Sequence, residues 1–274
     1  MEKIAVIGLG IIGGSICAAL TKAGYLVDGT DLKEENVLLA VEKGYIQAKA
    51  EDISQYDTVF LAIPPQATIS ALENTSFKDG ALVADICGVK LCIEQAVYAK
   101  ARNYRYVGLH PMAGKETSGL ASASAALFAM ANLIITIADK TEKEALEQIK
   151  IYAKAMRFGR IIECSAVEHD KKIALTSQLP HIVSNAFVKS QQVKNCEGFT
   201  GGSFQDMTRI AGVDENIWTQ LYMSNREYAL EELTLLIEHL EKYRVALENA
   251  DAEGLAECLK EGRLIREKIK RGKN

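Results

Sequence analysis

Lys3-Ile4-Ala5-Val6-Ile7-Gly8-Leu9-Gly10-Ile11-Ile12-Gly13 is the stretch that decides the fold. Lys3 to Gly8 is a short, β-branched apolar run that reads as a buried strand, and Gly13 to Ala23 reads as a helix stopped at Gly24. Between them lies G-x-G-x-x-G. In a strand-turn-helix the first glycine permits the tight turn, the second lets the backbone approach a pyrophosphate, and the third lets the helix pack on the strand. Gly8, Leu9, Gly10, Ile11, Ile12 and Gly13 thus become candidates for holding an anion at the helix amino terminus. Glycines near a helix start also serve plain turns, so the reading needs context. Asp31 supplies it: it ends a second expected strand, Tyr25 to Thr30, eighteen residues after Gly13, where a carboxylate meets adenosine ribose hydroxyls. A carboxylate there repels a 2′-phosphate, so NAD is expected rather than NADP, with Lys33 the residue that argues the other way.

Further buried-strand runs follow at Asp57 to Ile63, Ala81 to Ile86, Tyr104 to Leu109, Asn132 to Ala138 and Arg160 to Glu163, with helical patterns between several of them. Alternating β and α implies a parallel sheet. Beyond Cys164 strand-like runs vanish, and apolar residues recur at helical spacing over Val167 to Gln191, Ile217 to Leu240 and Ala252 to Ile269. The fold class expected is an α/β Rossmann-type dinucleotide-binding domain over residues 1–163, followed by an all-α domain over 164–274. A Gly-rich loop, Asn195 to Ser203, interrupts the helical half.

The 274 residues suffice for two cores, and 32 Lys and Arg against 36 Asp and Glu leave a net charge of -4 with no basic footprint for nucleic acid or anionic lipid. Ile4 to Thr21 carries no charge, but its four glycines suit the turn just described better than a signal or membrane span. The six cysteines show neither C-x-x-C nor metal spacing with the four histidines, so reduced thiols, a cytoplasmic protein and no metal site are expected.

Three segments carry candidate chemistry. Ala62, Ile63 and Pro64, with Pro65, end a buried strand at the carboxyl edge of the sheet, either beside the cofactor or as an ordinary strand stop. His110 ends another strand and Pro111 pins the chain after it; Gly114, Lys115 and other polar residues follow. A histidine there can take a hydroxyl proton as hydride leaves, because it titrates near working pH, or it can be a hydrogen-bonded structural residue. In the helical half, Gln178 and His181 share a helix face, either facing a ligand or belonging to a kinked helix with a satisfied core histidine, and Asp206 and Arg209 stand at i, i+3. Arg209 is either half of a solvated surface pair or a fork for a substrate carboxylate held by Asp206. Trp218, the only tryptophan, anchors packing or a subunit contact.

With these residues in view, the chain resembles the prephenate dehydrogenase family, which includes arogenate and cyclohexadienyl dehydrogenases. The resemblance rests on HPMAG-x-E-x-SG at His110 to Gly119, DICGVK at Asp85 to Lys90, LPH at Leu179 to His181 and D-x-TRIA at Asp206 to Ala211, followed by Trp218 and Asn225. It implies NAD-dependent oxidative decarboxylation of prephenate to 4-hydroxyphenylpyruvate in tyrosine biosynthesis. Arogenate as substrate, another hydroxyacid dehydrogenase using NADP, and a catalytically silent NAD-binding regulator are the alternatives. It further implies a homodimer interlocked through the helical domains, His110 as the catalytic histidine and Arg209 on a substrate carboxylate. His181 is expected near the substrate, Trp218 near substrate entry, and Cys87 and Lys115 beside cofactor and substrate respectively. Gly88 stands where members often carry Ser, and Gln178 where many carry His. Many members append a regulatory ACT domain; with the chain ending at Asn274, no separate tyrosine-binding domain is expected, although tyrosine can still compete at the active site.

Overall fold

A computed structural model describes residues 2–114, 117 and 119–271 of the chain, with side chains described through residue 269. Seven strands form one sheet: β1 (Lys3–Ile7), β2 (Leu26–Thr30), β3 (Thr58–Leu61), β4 (Leu82–Asp85), β5 (Arg105–Pro111), β6 (Asn132–Thr136) and β7 (Arg160–Cys164). Their spatial order is β2-β1-β3-β4-β5-β6-β7. Alternate residues of the central strands enter two different cores. Ile4, Val6, Phe60, Leu82 and Ala84 point to one face, while Ala5, Val59, Leu61 and Val83 point to the other. A strand buried on both faces reads as a continuous apolar run, which is why these segments were legible.

Helices cover both faces. α1 (Ile11–Lys22), α2 (Glu34–Glu42) and α5 (Lys143–Ala155) pack with the first core; α3 (Pro65–Asn74) and α4 (Leu91–Tyr98) pack with the second. The chain passes from β1 outward to β2 and then crosses back over β1 to β3 on its other side, so the carboxyl ends of β1 and β3 flank the crevice in which such sheets bind ligands.

The expectation of a parallel sheet holds for β1 to β5 and fails at β6, which runs antiparallel to β5, and β7 follows β6 in parallel. The cause lies in the connection from β5 to β6, which contains a short 3-10 turn, Leu120–Ser122, in place of a crossover helix. That connection stays on α1: a Cβ at Gly14 would come within 2.3 Å of Leu120 Cδ1, and the Ser124 amide donates to Ser15 Oγ at 3.0 Å.

After β7 the chain is helical: α6 (Ala166–Ile173), a π-helical segment (Ala174–Gln178), α7 (Leu179–Phe187), α8 (Gly202–Thr208), α9 (Glu215–Ser224), α10 (Arg226–Glu248) and α11 (Ala252–Arg271). Two expected long helices are thus divided. Pro180, which brings no N–H, sits just past the π turn that splits the first. Asn225 breaks the second, its buried amide donating to Asp170 O at 2.9 Å and Gln178 Oε1 at 2.7 Å. The chain divides into two compact units, Met1–Arg226 and Glu227–Asn274. Within the second, Tyr243 Oη donates to Cys258 O at 3.2 Å across the α10–α11 hairpin, and Leu230, Leu235, Ile237, Leu240, Leu259 and Ile265 are exposed. Among the described residues no helix is long and apolar enough to cross a membrane.

Candidate active site

The turn after β1 is built as its glycines require. Gly8 has φ +94°, and a Cβ on it would lie 2.4 Å from Ala62 O. A Cβ on Gly13 would lie 1.9 Å from Gly8 O, so α1 approaches β1 as closely as backbone allows. Gly10 differs, because a Cβ there would meet nothing within 4 Å. Gly10 caps α1 without a side-chain hydrogen bond, so open space and uncapped amides coincide at the helix amino terminus, the chemistry a pyrophosphate fits. Asp31 stands beside this turn, accepting from Leu9 N at 2.7 Å, Lys33 N at 2.9 Å and Asn36 Nδ2 at 3.1 Å. Its carboxylate is therefore fixed in place, part-buried, with lone-pair capacity left for a ribose hydroxyl. Ala62 N donates to Ile7 O at 2.7 Å, and Pro64 caps α3, so Ala62, Ile63 and Pro64 lie on the same sheet edge as Gly8. Cys87 is buried; its Sγ donates to Ile63 O at 3.3 Å and lies 3.2 Å from Thr68 Oγ1. Its side chain is thus turned into the fold, and only its backbone remains available to a ligand.

At the carboxyl end of β5, on that edge, stands His110. Its Nδ1 lies 2.8 Å from His169 Nε2, and His169 Nδ1 lies 2.6 Å from Asp170 Oδ1. Asp170 in turn accepts from the Lys90 and Leu91 amides, both at 2.9 Å, at the start of α4. Beneath this chain Lys90 and Asp85 form a buried ion pair, with Tyr106 Oη donating to Asp85 Oδ2 at 2.6 Å and the Cys87 amide to Oδ1 at 2.9 Å. Burial, then His169 and the Lys90 charge, push His110 well below the ordinary imidazole range. Burial also lowers His169, opposed by its bond to Asp170. His110 is therefore a neutral base near pH 7. A Cβ at Gly88 would lie 3.8 Å from His110 Nε2, ordinary van der Waals contact, so the glycine leaves room beside that nitrogen.

His110 opens on a cleft of about 460 Å³ whose walls include Met112, Ser177, His181, Arg209, Val213 and Trp218. His181 Nδ1 donates to Ser177 O at 2.8 Å, which leaves Nε2 as an acceptor in the neutral ring, and the ring lies against Trp218 with centroids 4.0 Å apart. Strand end, π segment, α7, α9 and the turn after α8 thus bring His110, His181, Arg209 and Trp218 together. Gln178 is a correction. It is buried, with Nε2 donating to Leu221 O at 3.2 Å and Oε1 occupied by Asn225, so it braces the helices and does not line the cleft. Asp206 is exposed on α8, outside the residues that line this cleft. Lys115 lies outside the described residues.

Sequence reasoning missed His169 and Asp170. They sit in Glu168-His169-Asp170-Lys171-Lys172, which reads as a solvated charge run. The available signal was periodicity: Ala166, His169, Asp170 and Ile173 fall at i, i+3, i+4, i+7 and form the buried face of α6.

The chain matches the family models for the nucleotide-binding domain of prephenate dehydrogenase over residues 16–162 and for its dimerization domain over residues 165–261. It is 32% identical to a prephenate dehydrogenase of Bacillus subtilis (strain 168) over 271 residues, covering 93% of this chain and 72% of the relative. A cyclohexadienyl dehydrogenase of Zymomonas mobilis is 29% identical, with 98% and 96% covered. Among solved structures, the prephenate dehydrogenase from A. aeolicus in complex with hydroxyphenyl propionate and NAD+ superposes with a TM-score of 0.84 at 27% identity, covering 98% of each chain. The Synechocystis arogenate dehydrogenase shares the fold, with a TM-score of 0.77 at 24% identity over 98% of this chain and 100% of that one.

Proposed function

The chain belongs to the prephenate dehydrogenase family, and on that premise we propose that it catalyses the NAD-dependent oxidative decarboxylation of prephenate to 4-hydroxyphenylpyruvate, in tyrosine biosynthesis. The observation that carries this reading is a neutral, buried-side histidine, His110, at a sheet edge shared with the glycine turn and opening on a cleft that also presents Arg209 and His181. NAD, when bound, supplies the hydride acceptor. The amides at the start of α1 hold its pyrophosphate and Asp31 its ribose. Arg209 takes a substrate carboxylate through its fork of N–H donors, His181 offers Nε2 as a polar contact, and Trp218 closes the cleft wall. His110 Nε2 accepts the ring hydroxyl proton as the C–O bond becomes a carbonyl; loss of the ring carboxylate as CO2 then aromatises the ring. The residues need chiefly to orient and to relieve one proton, since aromatisation supplies the driving force.

Lys115 remains in the proposal as a substrate contact, and the functional boundary between cofactor and helical domains is placed near residue 163. The protein acts as a homodimer, supported by the dimerization-domain match and by the exposed apolar residues of the hairpin. Six free thiols favour a reducing compartment, the cytoplasm. The experiment is NADH formation with prephenate and arogenate, each with NAD and NADP. Turnover of prephenate with NAD is expected. Turnover of arogenate alone would overturn the substrate, and preference for NADP would overturn the role of Asp31.

A further inference from the structure

We propose that His169 and Asp170 are positioning residues for the proton transfer. Together they hold His110 as the Nδ1–H tautomer, which leaves Nε2 as the proton acceptor, and they spread the positive charge that His110 acquires. This inference rests on the reaction proposed above and adds residues to it.

The tautomers follow from the partners along the chain. Asp170 takes the Lys90 amide proton on Oδ1 and the Leu91 amide proton on Oδ2, so both of its oxygens serve as acceptors. His169 Nδ1, 2.6 Å from Asp170 Oδ1, must then carry the proton it donates. His169 Nε2 is left with a lone pair, and His110 Nδ1, 2.8 Å away, donates to it. One proton position remains on His110: Nε2, bare, beside the space at Gly88. When the substrate O–H breaks, its proton bonds to Nε2 and its electron pair becomes the C–O π bond, while the C4–H pair leaves as hydride to the NAD of the proposed reaction. The ring, now positive, shares its Nδ1 proton with His169 Nε2, and the Asp170 carboxylate faces the charge from the far side. A carboxylate behind a histidine does this work in hydrolase triads by fixing tautomer and orientation; here a second imidazole stands between.

The surroundings suit a fixed relay. His169 and Asp170 are each 1% exposed, so neither exchanges partners with water. The titratable groups about them are the Lys90–Asp85 ion pair, Cys92 and Glu94 on α4, Cys164 at the end of β7, and Glu168, Lys171 and Lys172 on α6, with Tyr222 on α9 reaching Gln178 O. Asn225 Nδ2 donates to the Asp170 carbonyl at 2.9 Å, a buried bond that ties α6 to the α9–α10 junction at this point.

The first test reads the wild type: long-range proton–nitrogen correlation spectra of the 15N-histidine-labelled protein above pH 7, with His110→Asn serving only to assign the His110 signals. His110 in the Nδ1–H form is expected; His110 in the Nε2–H form overturns the proposal, whatever the activity. The second test compares Asp170→Asn and His169→Gln. Asn can present N–H to His169 Nδ1 and so reverse both tautomers, and kcat is expected to fall about 100-fold or more, with prephenate KM and NAD Kd within about 3-fold. Gln keeps an acceptor for His110 Nδ1 while removing the ionisable ring, so its loss should be smaller and the acidic limb of its kcat–pH profile, which His110 still sets, should move from the wild-type position. Equal kcat in wild type and both variants overturns the proposal. Failure of the wild type to oxidise either dienol, with His110 in the Nδ1–H form, would refute the reaction and leave the tautomer assignment standing.

Discussion

At the residue scale the division of roles in the cleft is directly testable. His110→Asn removes the proton acceptor but not the glycine turn, so kcat should drop about 10²- to 10⁴-fold while the NAD Kd, read by fluorescence titration, stays put. Arg209→Ala should instead raise prephenate KM about 10- to 100-fold, the worth of a charge-assisted hydrogen bond. Matching losses in both parameters for both variants would contradict the assignment. The depressed His110 and His169 also set two pH dependences. The acidic limb of kcat/KM should fall below the ordinary imidazole value of about 6.5. Both rings are neutral in the native state and protonate in the unfolded chain, which binds more protons as pH drops through about 6.5; stability should therefore decline on acidification below that point. Tm measured from about pH 8 to 5.5 checks this, and His169→Gln should flatten the curve.

At the element scale the glycine turn separates folding from binding. Gly13→Ala drives a methyl into Gly8 O, backbone that cannot yield, and should cost about 3 kcal/mol or more. Gly10→Ala puts its methyl in open space at the uncapped start of α1, so Tm should hold while NAD binding weakens. Calorimetry and NAD titration on the two proteins decide the matter; equal destabilisation would contradict it. The elements themselves were unevenly legible. The strands showed because burial on both faces forces apolar runs, and the turn showed because its spacing is backbone chemistry. The direction of β6 did not, since nothing in residues 112–131 states that the connection stays on α1 instead of crossing the sheet. Nor did the break at Asn225, which carries neither Gly nor Pro and is imposed by tertiary hydrogen bonds to Asp170 and Gln178. His169 and Asp170 were hidden for a related reason: their neighbours in the chain are solvated charges, and their partners lie 59 and 80 positions away.

For the whole molecule, the hairpin of α10 and α11 shows apolar side chains such as Leu230, Ile237 and Leu240 in the single chain. A second copy that covers them should give a particle of twice the 30.0 kDa chain mass by light scattering, and Ile237→Glu should shift it toward the monomer. The chemistry proposed for the cleft is that one neutral histidine at the sheet edge, backed by a buried relay, takes the hydroxyl proton of a cyclohexadienol that Arg209 holds by a carboxylate, while NAD takes its hydride. The most direct measurement is NADH absorbance together with CO2 release on mixing the protein with prephenate and NAD. Both are expected in equal amount, with 4-hydroxyphenylpyruvate as product, and both slowed about 10²- to 10⁴-fold in His110→Asn. NAD bound normally with no NADH from prephenate, or undiminished NADH from His110→Asn, would contradict it.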